Sequence, residues 1–172
     1  IEGDIGKISR EFNGDISIIS EKFKELSKDN DLKEKLDNLS VSYRSYYSYL
    51  LLVELEKIKH KNEKWICPGR KDITIEHILP QNIEGTDWMQ EFTSEEAELY
   101  VNKLGNLTLL GCNGNSKIKN KTFNEKKEFY KKYTDMKITK EVCNYSKWTK
   151  NEIQDRQKEM AKDLLNILKL DI

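Results

Sequence analysis

Proline is nearly absent, with two residues in 172, Pro68 and Pro80. That scarcity weighs against a sandwich or barrel built from many tight turns. Combined with abundant Lys and Asn and a charged fraction of 35%, it points to a helix-rich protein. Cysteine is almost as rare. Cys67, Cys112 and Cys143 are odd in number and lack any CxxC pair, which excludes a disulfide framework and a four-cysteine zinc site and fits a reducing, cytoplasmic setting. No apolar run is long enough to span a bilayer, and Ile1-Glu2-Gly3-Asp4 lacks the basic and apolar regions of a signal peptide, so no membrane partner is expected. The missing initiator Met suggests a fragment of a longer protein. Net charge is also absent, because 30 Lys and Arg balance 30 Asp and Glu. A global basic charge therefore cannot argue for nucleic acid. The local distribution is uneven: residues 83–98 carry Glu84, Asp87, Glu91, Glu95, Glu96 and Glu98 without a single Lys or Arg, whereas residues 117–132 are dominated by lysine. That asymmetry either orients a polyanion or marks two solvated faces.

The length suits one structural unit with its own core rather than two domains of ordinary size. Ser20 to Leu36 suits one or two amphipathic helices, broken near Asp29-Asn30-Asp31. Tyr43, Tyr47, Leu51, Leu55 and Ile58 recur at helical spacing and predict a helix from about Ser40 to Lys59, its tyrosine stripe belonging to the core. Ile73 to Leu79 is β-prone, alternates in polarity and is stopped by Pro80. Thr93 with Glu96 forms a capping-box pattern that predicts a helix from Ser94, burying Leu99 and Leu104 and ending at Gly105. Leu107 to Leu110 is a second β-prone run, and the turn Gly111-Cys112-Asn113-Gly114 separates it from a helix beginning near Asn115. Thr122 with Glu125, and Thr149 with Glu152, mark two further helix starts. The expected architecture is α+β and mostly helical: an N-terminal helical segment over residues 1–62, a two-stranded centre over 63–125 and a C-terminal helical segment over 126–172.

The chain has two histidines in different settings. His60, among Lys59, Lys61 and Glu63 at a helix end, reads as a solvated or helix-capping residue. His77 closes an apolar strand beside a carboxylate, Glu76. Alone, that pair would more often be structural than catalytic. Downstream stand Leu104-Gly105-Asn106-Leu107-Thr108-Leu109-Leu110, then Asn115 and Ser116, then Asn120 to Phe123 in an Asn-x-x-Phe pattern.

Glu76-His77-Ile78-Leu79-Pro80-Gln81 together with that asparagine-leucine segment resembles the His-Me finger of HNH nucleases. The H-x-x-P version followed by Asn-x-x-Phe is similar to the C-terminal nuclease domain of GmrSD-type modification-dependent restriction enzymes. The resemblance covers residues 49–130 and extends more weakly to the end through Trp148, Ile153 and Arg156. It implies a ββα-metal finger between helical segments, DNA as substrate, and a bacterial defence setting in which an upstream nucleotide-using sensor domain of the same protein licenses cleavage. His77 would be the general base, since an imidazole with an ordinary pKa of about 6.5 accepts a proton from water near neutral pH. Asn106 would hold the loop and the histidine ring in a productive orientation. Glu76 and Asn115 would offer oxygen ligands suited to one Mg²⁺ or Mn²⁺ ion. Asn113 competes with Asn115, and the family spacing favours Asn115. Glu76 stands where the family usually has Asp, and strict strand alternation would send it and His77 to opposite faces. Lys117, Lys119 and Lys121 are the candidate backbone contacts to DNA, while Arg44 and Arg70 have no pattern that decides between an ion pair and a phosphate. Two other readings stand beside the nuclease: a finger that grips DNA without cutting, and an RNase-type toxin.

Overall fold

A computed structural model describes residues 32–61, 65–112 and 118–167. The chain is mostly helical around a two-stranded antiparallel sheet, an α+β arrangement. Most of the helical expectation over Ser20 to Leu36 lies outside the described residues; its end is a short helix, α1 (Leu32–Asp37), with Leu36 buried.

Helix α2 spans Tyr46–His60, six residues later than the tyrosine spacing predicts. The delay has a tertiary cause. Val41 donates its amide to the Asn102 carbonyl at 2.8 Å, and Ser40 forms an isolated antiparallel bridge with Lys103. These pairings hold residues 40–41 extended, and the helix starts only where the Ser45 hydroxyl accepts the Tyr47 amide as its N-cap. Tyr47, Leu51 and Leu55 enter the core as the stripe requires, but Tyr43 precedes the helix and is only half-buried.

Strand β1 (Ile73–His77) pairs with β2 (Leu107–Gly111) in a regular register that sets Ile75 opposite Leu109, Glu76 opposite Thr108 and His77 opposite Leu107. Alternation puts Ile73, Ile75 and His77 on one face and Thr74 and Glu76 on the other. Both faces are covered. Ile73, Ile75, Leu107 and Leu109 join a core with α2 and the C-terminal helix, whereas Leu110, Ile78 and Leu79 join a second core with Trp88, Tyr130 and Trp148.

Between the strands, α3 (Ser94–Tyr100) starts with the full capping box of Thr93 and Glu96. It ends at Tyr100, short of Gly105, because the carbonyls of Val101 and Asn102 are taken by the Asn106 side chain and the Val41 amide. Leu104 is buried, but Leu99 is 67% exposed, contrary to expectation. The short helix buries Ala97, and a residue two places on points about 200° away.

Helix α4 (Phe123–Tyr133) carries the capping box of Thr122 and Glu125. The four-residue helix α5 (Lys137–Lys140) has its first amides capped from afar by the fully buried Glu56, which accepts from Lys137 at 2.7 Å and Ile138 at 2.9 Å. His60 Nε2 donates to the same carboxylate at 2.8 Å and the ring stacks on Trp65, so its role is local bracing.

Helix α6 (Lys150–Ile167) begins after Thr149, whose amide and hydroxyl both bond the Glu152 carboxylate, and it packs across a single turn of 3-10 helix, Leu104–Asn106. Gln157 receives the Gly105 amide and donates to the carbonyls of Leu36 and Leu39, while Arg156 donates to the carbonyls of Gly105, Leu107 and Ile138. Helical elements from both ends of the chain therefore converge on the residue before Asn106. Gly105 permits it: a Cβ there would meet the Ile153 carbonyl oxygen at 2.3 Å and the Gln157 amide nitrogen at 2.9 Å. Gly105→Ala should force the backbones apart and cost about 2 kcal/mol or more in a urea titration, without a change in unfolding slope; a loss within about 0.5 kcal/mol, the range of an ordinary surface substitution, would show that α6 does not need this approach.

Candidate active site

A cleft of about 450 Å³ runs the length of β1. Its wall includes Tyr43, Tyr49, Arg70, His77, Gln81 and Lys119, together with Asn120 of the Asn-x-x-Phe pattern. His77 ends the strand there, the residue 7% exposed and its ring edge-on to Tyr43 with ring centroids 5.1 Å apart. Its Nε2 is buried and has no hydrogen-bond partner among the described residues. Burial pushes the imidazole pKa down from 6.5 to about 4; the Asn102 side chain pulls it upward and the Lys126 charge lowers it further. The ring is thus a neutral base at neutral pH with one nitrogen uncommitted, the state a proton acceptor requires.

Asn106 is fully buried and spends its whole carboxamide on the protein. Oδ1 accepts the Leu79 amide at 2.7 Å and the Trp148 indole N–H at 3.1 Å; Nδ2 donates to the carbonyls of Leu79 at 3.0 Å and Val101 at 2.9 Å. Its backbone carbonyl accepts from Ile78 at 3.0 Å. Asn106 therefore clamps the loop leaving His77, and none of its four side-chain bonds goes to the imidazole ring. The ring itself is steadied by Tyr43. Trp148 is fixed in turn by stacking on Phe123 at 5.5 Å, which is where the Asn-x-x-Phe pattern enters the scaffold.

Glu76 lies on the other side of the sheet. Its Oε1 accepts Lys126 Nζ at 2.7 Å and the Tyr130 hydroxyl at 3.2 Å, and Lys126 also donates to the His77 carbonyl at 2.6 Å. All three side chains are buried. Burial raises the Glu76 pKa and lowers that of Lys126, each against the attraction of the other. The regular strand thus separates the two neighbours, His77 to the cleft and Glu76 to a buried ion pair. Lys126 was not singled out from sequence. Its signal is a charge three residues after Phe123 and four before Tyr130, on the apolar stripe of α4.

Asn115, its competitor Asn113, and Lys117 lie outside the described residues. Of the remaining lysines, Lys119 lines the cleft, whereas Lys121 pairs with Glu125 at 3.0 Å. Among the described residues no group of three or more His, Cys, Asp or Glu is arranged to hold a metal ion. With Glu76 Oε1 engaged by Lys126 and Tyr130, the described residues do not assemble a cation site around His77. The cysteines are free, and no described helix is long and apolar enough to cross a membrane.

The buried pair beneath the sheet generates a test of its own. Lys126→Met should destabilise by about 3–5 kcal/mol, because it strands a buried carboxylate, and adding Glu76→Gln should recover part of that loss in the same urea titration. Strict additivity of the two losses would mean that the pair is not coupled.

No curated protein matches the chain. A family model described as GmrSD restriction endonucleases, C-terminal domain, matches residues 26–163, taking in the strand pair with His77 and Asn106 and most of the helical segments on either side. Since that match covers most of its length, the chain belongs to the family of C-terminal domains of GmrSD restriction endonucleases.

Proposed function

We propose that this domain is an endonuclease that hydrolyses DNA phosphodiester bonds with His77 as its general base. The observation that carries the reading is the uncommitted, buried Nε2 of a neutral imidazole on the wall of a cleft whose charged lining is otherwise Arg70, Lys119 and a Glu76 already matched by Lys126. A polyanion meets no unpaired carboxylate on that lining.

In the reaction a water oxygen bonds to phosphorus, the P–O bond to the leaving sugar breaks, and the water's proton passes to His77 Nε2. The leaving oxygen takes a proton from solvent water, and His77 later returns its own to solvent. Asn106 keeps the loop after His77 in register, so the base need not be reoriented during the attack. Lys119 would hold the DNA backbone, with Lys121 contributing only when it exchanges Glu125 for a phosphate.

The resemblance adds a ββα-metal finger with one Mg²⁺ or Mn²⁺, for which Asn115 is the oxygen donor named from sequence that remains, Glu76 being engaged by Lys126 and Tyr130, and an upstream nucleotide-using domain of the same protein that licenses cleavage in a restriction setting. These belong to the proposal, and no step above is routed through the metal. A hard cation held by few protein oxygens is labile. EDTA should therefore stop plasmid nicking without changing the circular dichroism spectrum, and Mg²⁺ or Mn²⁺ should restore it; a stoichiometric zinc surviving dialysis would defeat this part.

His77→Ala should leave the fold intact and lower nicking by at least about a hundredfold, the usual worth of a positioned base. Full activity in the folded variant would end the assignment, and preferential cleavage of labelled RNA in parallel would move the substrate class. The pH profile gives an independent check. The neutral ring is the active form and its pKa is held near 4, so the rate should persist as pH falls through 6.5 and decline only towards about 4. Across the same interval the unfolded chain binds a proton that the folded ring refuses, so stability falls with falling pH and rates must be corrected for the folded fraction. An acidic limb centred near 6.5 would indicate a solvated ring.

A further inference from the structure

Two described arginines near the sheet are used in opposite ways. Arg156 is buried and spends its guanidinium on three backbone carbonyls. Arg70 is exposed, lines the cleft, and lies over the rings of Tyr46 at 4.9 Å and Tyr49 at 5.9 Å. Among the described residues no carboxylate or carbonyl meets it. A guanidinium stacked on aromatic faces keeps its N–H donors at the edge of the plane, unspent, while the stacking removes part of the side-chain entropy that binding would otherwise cost. Tyr49 is itself anchored by its hydroxyl, which donates to the Pro68 carbonyl at 3.3 Å. The platform therefore does not depend on Arg70.

We propose that Arg70 contacts a backbone phosphate of the DNA, and that the bound strand lies along β1 between Arg70 and His77. The proposal rests on the nuclease reading above. Its geometry follows from the strand. Ile73 and His77 both line the cleft, and four strand steps separate them by roughly 13 Å. Arg70 stands in the Gly69–Asp72 turn that leads into the Ile73 end of β1, whereas His77 closes the opposite end, so the phosphate assigned to Arg70 is not the one that is cut. Arg70 acts on binding and register rather than on the reacting atoms. Lys119, also unpaired among the described residues, supplies a second charge to the same cleft.

The test uses the full chain carrying His77→Ala, with EDTA present, so that DNA is bound and not cut. Affinity for a fluorescein-labelled duplex is followed by anisotropy across a salt series, with and without Arg70→Ala or Arg70→Lys. Because Arg70 is exposed, neither substitution empties a core. Arg70→Ala should weaken binding roughly tenfold at about 0.1 M salt and make the slope of log affinity against log salt shallower by about 0.9, one phosphate's worth of released counterions. Arg70→Lys should keep the slope, since it keeps the charge, and lose part of the affinity with the planar fork. An unchanged slope in Arg70→Ala overturns the proposal and leaves the nuclease reading standing. Equal loss of slope in both variants overturns it too, since the effect would then come from disturbing the tyrosine platform. Failure of the parent chain to bind DNA at any salt overturns the nuclease reading and this proposal together.

Discussion

The carboxamide of Asn106 joins pieces of chain that share no local reason to meet: the exit of β1 at Leu79, the turn after α3 at Val101, and Trp148 just ahead of α6. With all four of its bonding positions filled inside a dry core, it behaves as a single bracket rather than as four separate contacts. Removing it would leave buried groups of Leu79, Val101 and Trp148 to find other partners, each costing about 1–3 kcal/mol if none is found. The close passage of α6 over Gly105 and the capping of the next carbonyls by Arg156 depend on the same bracket staying in place. His77 inherits its position from this arrangement, as the last strand residue before the clamped loop.

Burial under the sheet also sorts the charges. On one face, Lys126 and Glu76 neutralise each other and Tyr130 completes the cluster, so the carboxylate that the strand adds to the cleft lining is already matched. On the other, His77 is left neutral with a bare nitrogen, and Arg70 and Lys119 are left without counterions among the described residues. A cleft with its one acid cancelled and its cations exposed favours a negatively charged occupant. The overall balance of charge in the chain hides this, because the separation arises only when strand alternation assigns neighbours to opposite sides.

Local signals were legible. The strand ending at His77, the capping boxes at Thr93 and Thr122, and the Leu107 strand follow from patterns spanning a few residues, and all of them formed. The worry that Glu76 and His77 would face apart was legible too, as the period of a strand is two. What could not be read were polar partners far apart in sequence: Lys126 for Glu76, Glu56 for the first amides of α5, Gln157 for Gly105. Each is a buried polar group whose tolerance depends on a partner 50 or more residues away. The late start of α2 has the same origin, since Asn102 and Lys103 recruit residues that would otherwise satisfy a helix.

By itself the sequence determined the kind of chain this is, because composition, periodicity and capping act over a few residues: a helix-rich α+β protein with a histidine closing its first strand and the motif order of its family. Tertiary structure alone decided what each polar residue does. It turned Asn106 into a bracket, Glu76 into half of a buried ion pair, Tyr43 from a core residue into the wall against which His77 rests, and Arg70 into a cation with its donors unspent. The physical reason is that the cost of burying a polar or charged group is set by the partner it meets, and those partners are brought together only by the packing of helices from both ends of the chain onto one short sheet.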